Sequence, residues 1–358
     1  MRGNRRPVRW VHRLVRRQAA VLGLAVVAVA CSTAPGPEQN TERDNAEAGT
    51  KESSVSQRMM MGTMFQIRVV AKDEASADAA IEAAYGEIAR IERLLSEWSE
   101  SSEISAVNAA AGLEPVVVGP ELFEVVERAV RYSELTDGAF DVTFASCGHL
   151  WSFGDTPRIP SDAEVAGCLP GIGFRRLELD PARSSLYLPE SGMRLGIAAI
   201  GKGYGVDRAA EILEARGITD YIVEGGGDVR LRVREGGRPW KVGIAHPRRS
   251  GELYATLQIG GGAVATSGDY ERFFERDGVV YHHIIDPRSG YPARRTVAVT
   301  VVATNATDAD ALATGLFVLG PDSGMQVVES LPGVEALFFG ADLAVSRSSG
   351  FPDYTPLP

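Results

Sequence analysis

Between residues 221 and 303 the chain breaks into short runs of alternating or β-branched residues, several closed by glycine: "YIVEGGGDVRLRV", "WKVGIAH", "ELYATLQIG", "VVYHHII" and "TVAVTVVA". Each run is the length of one strand. Hairpin spacing between them outnumbers the clean strand–helix–strand spacing that parallel strands need. Ahead of them, "MFQIRVVA" (64–71) alternates like a further strand, and 176–188 reads as another hairpin. Helical spacing fills residues 74–96 (Ala80, Ala84, Ile88, Ile91, Leu95) and 120–136, and a helix over 205–217 ends at a glycine. The fold class expected is α+β: mixed, largely antiparallel sheets with flanking helices, rather than a doubly wound parallel sheet.

After the last strand run comes "DADALATGLF", 308–317. Ala309, Leu312, Ala313, Leu316 and Phe317 share one helix face. Two readings fit its polar residues. Thr307 or Asp308 could cap the helix, with acids favoured by the helix dipole. Alternatively, Asp310 and Thr314, one turn apart, form a pair of hard oxygen donors of the kind Mg²⁺ accepts.

The N-terminal end imposes a different constraint. Residues 1–30 carry seven arginines and no acid, then "AAVLGLAVVAVA" (19–30) runs directly into Cys31. A basic start, a short apolar run and small residues at its end describe a secretory signal. The run is too short to span a bilayer, which takes about 20 residues. Cys31 after "AVA" resembles the lipobox of a bacterial lipoprotein, with Ala28 where Leu is usual. The expectation is a lipoprotein signal peptide over 1–30, a lipidated Cys31, a disordered tether over 31–57 and a folded domain over 58–358. Cleavage before Cys31 would take the formal charge from −10 to about −17. Such a balance argues against nucleic acid as a partner and against electrostatic attraction to anionic lipid. Cys147 and Cys168 could pair in an exported protein, and Cys147 reads equally well as a buried thiol.

Several stretches carry candidate chemistry. Gly196-x₄-Gly201-Lys202 approaches a phosphate-binding P-loop, but Gly203 stands where Mg²⁺ needs Ser or Thr. What remains is a glycine-rich loop ahead of a helix, with one lysine to meet a phosphate. "VEGGGDVRL" (223–231) offers close backbone approach or simply a hairpin turn. In "YHHIIDPRSGYP" (281–292) the two histidines face opposite sides of a strand and cannot share a metal. "ATSGDYERFF" (265–274) gathers hydroxyls and an acid, while Phe140, Trp151 and Phe153 could line a ring-binding wall or belong to the core. No G-x-S-x-G, H-E-x-x-H or helix-opening G-x-G-x-x-G is present, which removes support for triad hydrolases, zincins and Rossmann enzymes.

Taken together and in order, these blocks resemble the ApbE-type flavin transferases, the FAD:protein FMN transferases. "MGTMFQI", "LSEWSESSEISAVN", "GAFDVT", "LWSFG", "GKGYGVDRA", "EGGGDVR", "ATSGDYERFF", "HHIIDPRSGYP" and "DADALATGLFVLG" carry the likeness from Met61 to Gly320. The resemblance implies an ApbE-like fold, FAD as substrate, Mg²⁺ as cofactor, and transfer of FMN to a threonine hydroxyl of a target flavoprotein with release of AMP. It implies FAD contacts at Met61, Trp98, Ala139, Phe140, Asp141, Lys202 and Ile284. It implies Mg²⁺ ligands at Asp310, Thr314 and the Ala199 carbonyl, and so favours the metal reading of the Asp310–Thr314 pair. His283 and Asp286 are the candidates for a general base. The target would be a subunit of a flavin-dependent redox complex. The enzyme would be a membrane-anchored lipoprotein on the extracytoplasmic, periplasmic side. FAD hydrolysis and FAD binding without chemistry are the competing readings. The second is motivated by Gly196, where the family has Asp: either FAD binding is weaker or another acid substitutes.

Overall fold

A computed structural model describes residues 52–357. The signal-like segment, Cys31 and the tether up to residue 51 lie outside the described residues. Eight strands form the main sheet: β1 (Glu52–Met60), β2 (Thr63–Ala71), β3 (Tyr221–Gly225), β4 (Asp228–Arg232), β5 (Gly261–Gly268), β6 (Thr296–Ala303), β7 (Glu335–Gly340) and β8 (Val345–Arg347). Their order across the sheet is their order in the chain, and every neighbouring pair is antiparallel. The α+β, largely antiparallel expectation holds. β1 corrects the tether boundary, because residues 52–57 already pair with β2 from Glu52↔Ala71 onward. Composition hid this strand: it is a largely exposed edge whose order comes from backbone pairing rather than burial.

Five helices pack on the sheet or on each other: α1 (Glu74–Leu94), α2 (Pro120–Leu135), α3 (Ala198–Ala215), α4 (Ala306–Leu319) and α5 (Pro321–Ser330). Strand alternation divides the sheet residues between two cores. Phe65, Ile67, Val223, Ala265 and Val301 meet the helices. Ile222, Val229, Leu231, Val264 and Phe339 face a second, three-stranded sheet made by Trp240–Ala245, Leu253–Ile259 and Tyr354–Pro356. The result is three layers: helices, large sheet, small sheet.

α3 starts seven residues before the expected helix, so Gly201, Lys202 and Gly203 are helical and not a loop. The glycines serve close packing. A Cβ on Gly203 would lie 2.3 Å from the Ala306 carbonyl oxygen of α4, and one on Gly205 would lie 3.1 Å from the Met61 sulfur. α4 also starts earlier than expected, at Ala306, and its cap is Asn305, whose Oδ1 accepts from Asp308 N–H at 2.9 Å. Thr307 and Asp308 are inside the helix. Asp207 of α3 completes the cap by accepting from the Ala306 and Thr307 amides, both at 2.8 Å. α3 and α4 are therefore fastened twice, by contact of small residues and by a shared helix cap.

Cys147 and Cys168 form a disulfide, which settles that open question. It ties the short helix Ala145–Gly148 to Asp162–Cys168 across 21 residues. Closing a loop of that size should stabilise the fold by about 3 kcal/mol. Thermal unfolding with and without reductant should show a lower midpoint in the reduced protein, and Cys147→Ala/Cys168→Ala should behave like the reduced form in either condition.

Candidate functional site

The buried polar centre lies where β4, α3 and α4 meet. Lys202 of α3 donates to Asp228 Oδ2 of β4 at 2.6 Å and to Asp310 Oδ1 of α4 at 3.0 Å. Both acids are almost fully buried. Asp310 Oδ2 accepts a further bond from the Gly203 amide at 3.0 Å. In the helical pattern that amide would pair with the Ala199 carbonyl, so Asp310 sits one turn from Ala199 on the face of α3. Thr314 follows Asp310 by one turn of α4 and is partly exposed.

The electrostatics of this trio are those of a charged cluster short of water. Burial pushes the Asp228 carboxyl well above the usual carboxylate range, and the neighbouring Asp310 charge adds to this against the pull of Lys202. Burial alone would lower Lys202, but the two carboxylates outweigh it and raise its pKa, so the ammonium form persists. A cation is thus what the two acids require, and the chain supplies its own.

The other residues named from the sequence have these surroundings. Met61 has a positive φ of 50° and is held by its amide to Glu92 Oε1 at 2.9 Å, with its sulfur against Gly205. Trp98 is 94% exposed. Ala139 and Phe140 are buried, and Phe140 packs edge-on to Tyr132, so its ring belongs to the core and not to a ring-binding wall. Trp151 likewise packs inward, its indole N–H donating to the Gly290 carbonyl. Asp141 uses both oxygens inside the protein, accepting from Thr143 N–H and Oγ1–H and from the Phe174 amide. Ile284 is buried, and its amide and carbonyl bond to His282 Nδ1 and the Ala293 amide.

The two histidines do separate. His282 is buried against Phe317, with Nε2 bonded to the Ala293 carbonyl at 2.7 Å. His283 carries a buried Nδ1 with no hydrogen-bond partner among the described residues. Burial lowers its pKa to about 3, aided by His282, Arg272 and Lys202. The unfolded chain should protonate near 6.5, so its protons bind first there. Stability contributed by the neutral ring is complete above pH 6.5 and falls as the pH drops toward 3. His283→Gln should therefore flatten the acid limb of urea-unfolding stability by up to about 1.4 kcal/mol per pH unit. An unchanged slope between pH 6 and 4 would reject this assignment.

Asp286 does not fit the role of a base. Both its oxygens are bound by the Arg288 guanidinium at 2.8 Å, and Oδ1 also accepts from the Arg288 amide. It organises the Asp-Pro-Arg-Ser-Gly turn. Asp228, by contrast, was missed as a candidate because an acid after three glycines reads as turn chemistry. The usable signal was its place as the first residue of a strand whose next position is apolar. Among the described residues no cluster of three His, Cys, Asp or Glu could hold a metal. Any metal here would rest on one or two carboxylates together with a hydroxyl and a carbonyl.

Comparison with known proteins bears on the fold and family of the chain as a whole. The ApbE family model matches residues 61–338. A protein of Treponema pallidum (strain Nichols) named FAD:protein FMN transferase is 36% identical over 313 residues, covering 82% of this chain and 86% of its own. A protein of Vibrio cholerae with the same name is 39% identical over 255 residues, covering 67% and 75%. Among solved structures, the ApbE protein of Thermotoga maritima superposes with a TM-score of 0.78 at 34% identity, covering 84% of this chain and 98% of that one. The flavin transferase ApbE of Vibrio cholerae gives 0.73 at 33% identity, with the same coverage.

Proposed function

This chain belongs to the ApbE family of FAD:protein FMN transferases, and from that premise we propose that it moves FMN from FAD to a threonine hydroxyl of a target protein, with Mg²⁺, releasing AMP. The observation that carries the reading is the Lys202–Asp228–Asp310 centre at the junction of α3 and α4. Two buried carboxylates already demand positive charge, and Asp310, Thr314 and the Ala199 carbonyl would supply hard oxygens to a metal. That donor set suits Mg²⁺, which binds few protein ligands and keeps room for phosphate oxygens. When bound, the ion would neutralise charge on the pyrophosphate.

The chain's own groups do the rest. Lys202 places a fixed ammonium where phosphates would lie, in a setting that amplifies its field. The attacking hydroxyl forms a bond to the FMN phosphorus, the bond to the AMP phosphate oxygen breaks, and AMP leaves with the electron pair. His283 would take the hydroxyl proton through Nε2, since Nδ1 is buried: the ring is neutral and the residue is partly exposed. Phosphate charge nearby would raise its proton affinity. No activated serine or cysteine is needed, because the nucleophile belongs to the partner.

The acceptor would be a subunit of a flavin-dependent redox complex, and the enzyme would work on the extracytoplasmic side of a bacterial membrane, held by lipid on Cys31. The function test is incubation with FAD and Mg²⁺, with and without a threonine-bearing acceptor domain, read by intact mass and AMP release. An acceptor heavier by one FMN is expected. AMP and free FMN without labelling would make the protein a hydrolase, and unchanged bound FAD would make it a binder.

A further inference from the structure

A third carboxylate, Glu97, reaches the start of α3 from the loop that carries Trp98. α3 begins without a side-chain cap of its own, Ile197 standing at the cap position. Glu97, 100 residues earlier, reaches that helix end: its Oε1 accepts from the Ile197 amide at 2.7 Å and the Ala198 amide at 3.1 Å. No acid could come from the adjacent position 196, since a Cβ on Gly196 would lie 2.7 Å from the Ala145 Cβ and 2.8 Å from the Phe144 ring. Glu97's other oxygen, Oε2, has no hydrogen-bond partner among the described residues and is not sealed from solvent. The loop is held in shape by Ser96 Oγ, which accepts from the Trp98 and Ser99 amides at 3.3 and 3.2 Å.

A cap needs one oxygen. A carboxylate pinned by one oxygen at two amides presents the other in a fixed direction, with two lone pairs unused. We propose that Glu97 Oε2 is a substrate-binding acceptor that takes a hydrogen bond from a neutral N–H or O–H donor of the FAD dinucleotide. This rests on the proposed function above. Spacing supports it: Ile197 precedes Lys202 by five residues, about 7.5 Å along α3. That is beyond the phosphates Lys202 would meet, and a carboxylate would repel them in any case. It is the distance of a sugar hydroxyl or a ring amine on one side of the pyrophosphate. Burial pushes the Glu97 carboxyl up, partly offset by the two amides and the Arg194 charge.

Glu97→Gln separates the two roles. Gln keeps a carbonyl oxygen for the Ile197 and Ala198 amides but turns an amine toward the donor. In the full-length protein, FAD affinity measured by flavin fluorescence should fall ten- to a hundredfold, with the unfolding midpoint of the ligand-free protein unchanged. Titration of FMN and AMP separately should show the loss with one of them, and that one carries the donor. Unchanged affinity for FAD overturns the proposal, as does a loss of affinity that tracks a lower unfolding midpoint, because a simple cap would give that. Wild-type protein that binds no FAD would instead overturn the proposed function.

Discussion

Asp310→Ala should lower FMN transfer about a thousandfold or more, the largest functional effect expected of any single substitution here. Asp310 has three connections to lose: the ion pair to Lys202, the Gly203 amide, and its place one turn before Thr314. Removing it leaves Lys202 paired with Asp228 alone, and the like charge that helps push Asp228 upward disappears. Fold and chemistry can be told apart with Asp310→Asn. The amide oxygen still accepts from Gly203, so the α3–α4 contact survives, while the charge that holds Lys202 and would hold a metal is gone. Transfer and AMP release should therefore be lost in both variants, with the unfolding midpoint of the Asn form close to wild type. Normal AMP release by the Asn form would remove Asp310 from the chemistry.

Gly203→Ala should be among the most destabilising small substitutions in the chain, although alanine in place of a helical glycine normally adds about 1 kcal/mol of stability. The added methyl would meet the Ala306 carbonyl oxygen at 2.3 Å and the Asp310 Cβ at 2.8 Å. Backbone cannot turn aside as a side chain can. α4 must move, and the Asp207 cap and the Asp310–Gly203 bond move with it. We expect a net loss of about 2–4 kcal/mol, seen as a fall of about 5–10 °C in the midpoint of unfolding. Gly217→Ala makes a useful contrast: it has open space but a φ of +77°, so its smaller cost would be conformational and would leave FAD affinity intact.

That glycine run also shows where sequence reasoning stops. α1, α2 and α4 were legible because each buries one face against the sheet or a neighbouring helix, and burial writes a 3.6-residue period into the chain. α3 was read short by seven residues, because three glycines in its first turns look like a loop until the helix they pack against is known. The cap of α4 was misplaced for the same reason: Asp207, the acid that completes it, is a hundred residues away. Asp310, Thr314 and Lys202 stood out through spacing and residue type. Asp228 and Glu97 did not, since each acts on a helix or a lysine that only the fold brings near. β1 was hidden because an exposed edge strand is specified by hydrogen bonding, which leaves no hydrophobic pattern.

The centre at Lys202 has one more consequence, which concerns time rather than space. Lys202 and Asp310 are 108 residues apart, and Asp207 and Ala306 are 99 apart. The intervening chain is four of the main-sheet strands and the whole small-sheet hairpin. Contacts this distant close late, after the loop between them has been ordered. A chain made from its N-terminus can finish α3 and its lysine long before residue 310 leaves the ribosome. Until then the lysine has no second acid and α4 has no cap to share. A nascent or truncated chain that ends before α4 therefore lacks the Lys202–Asp310 pair, and activity should appear in one step once α4 is complete.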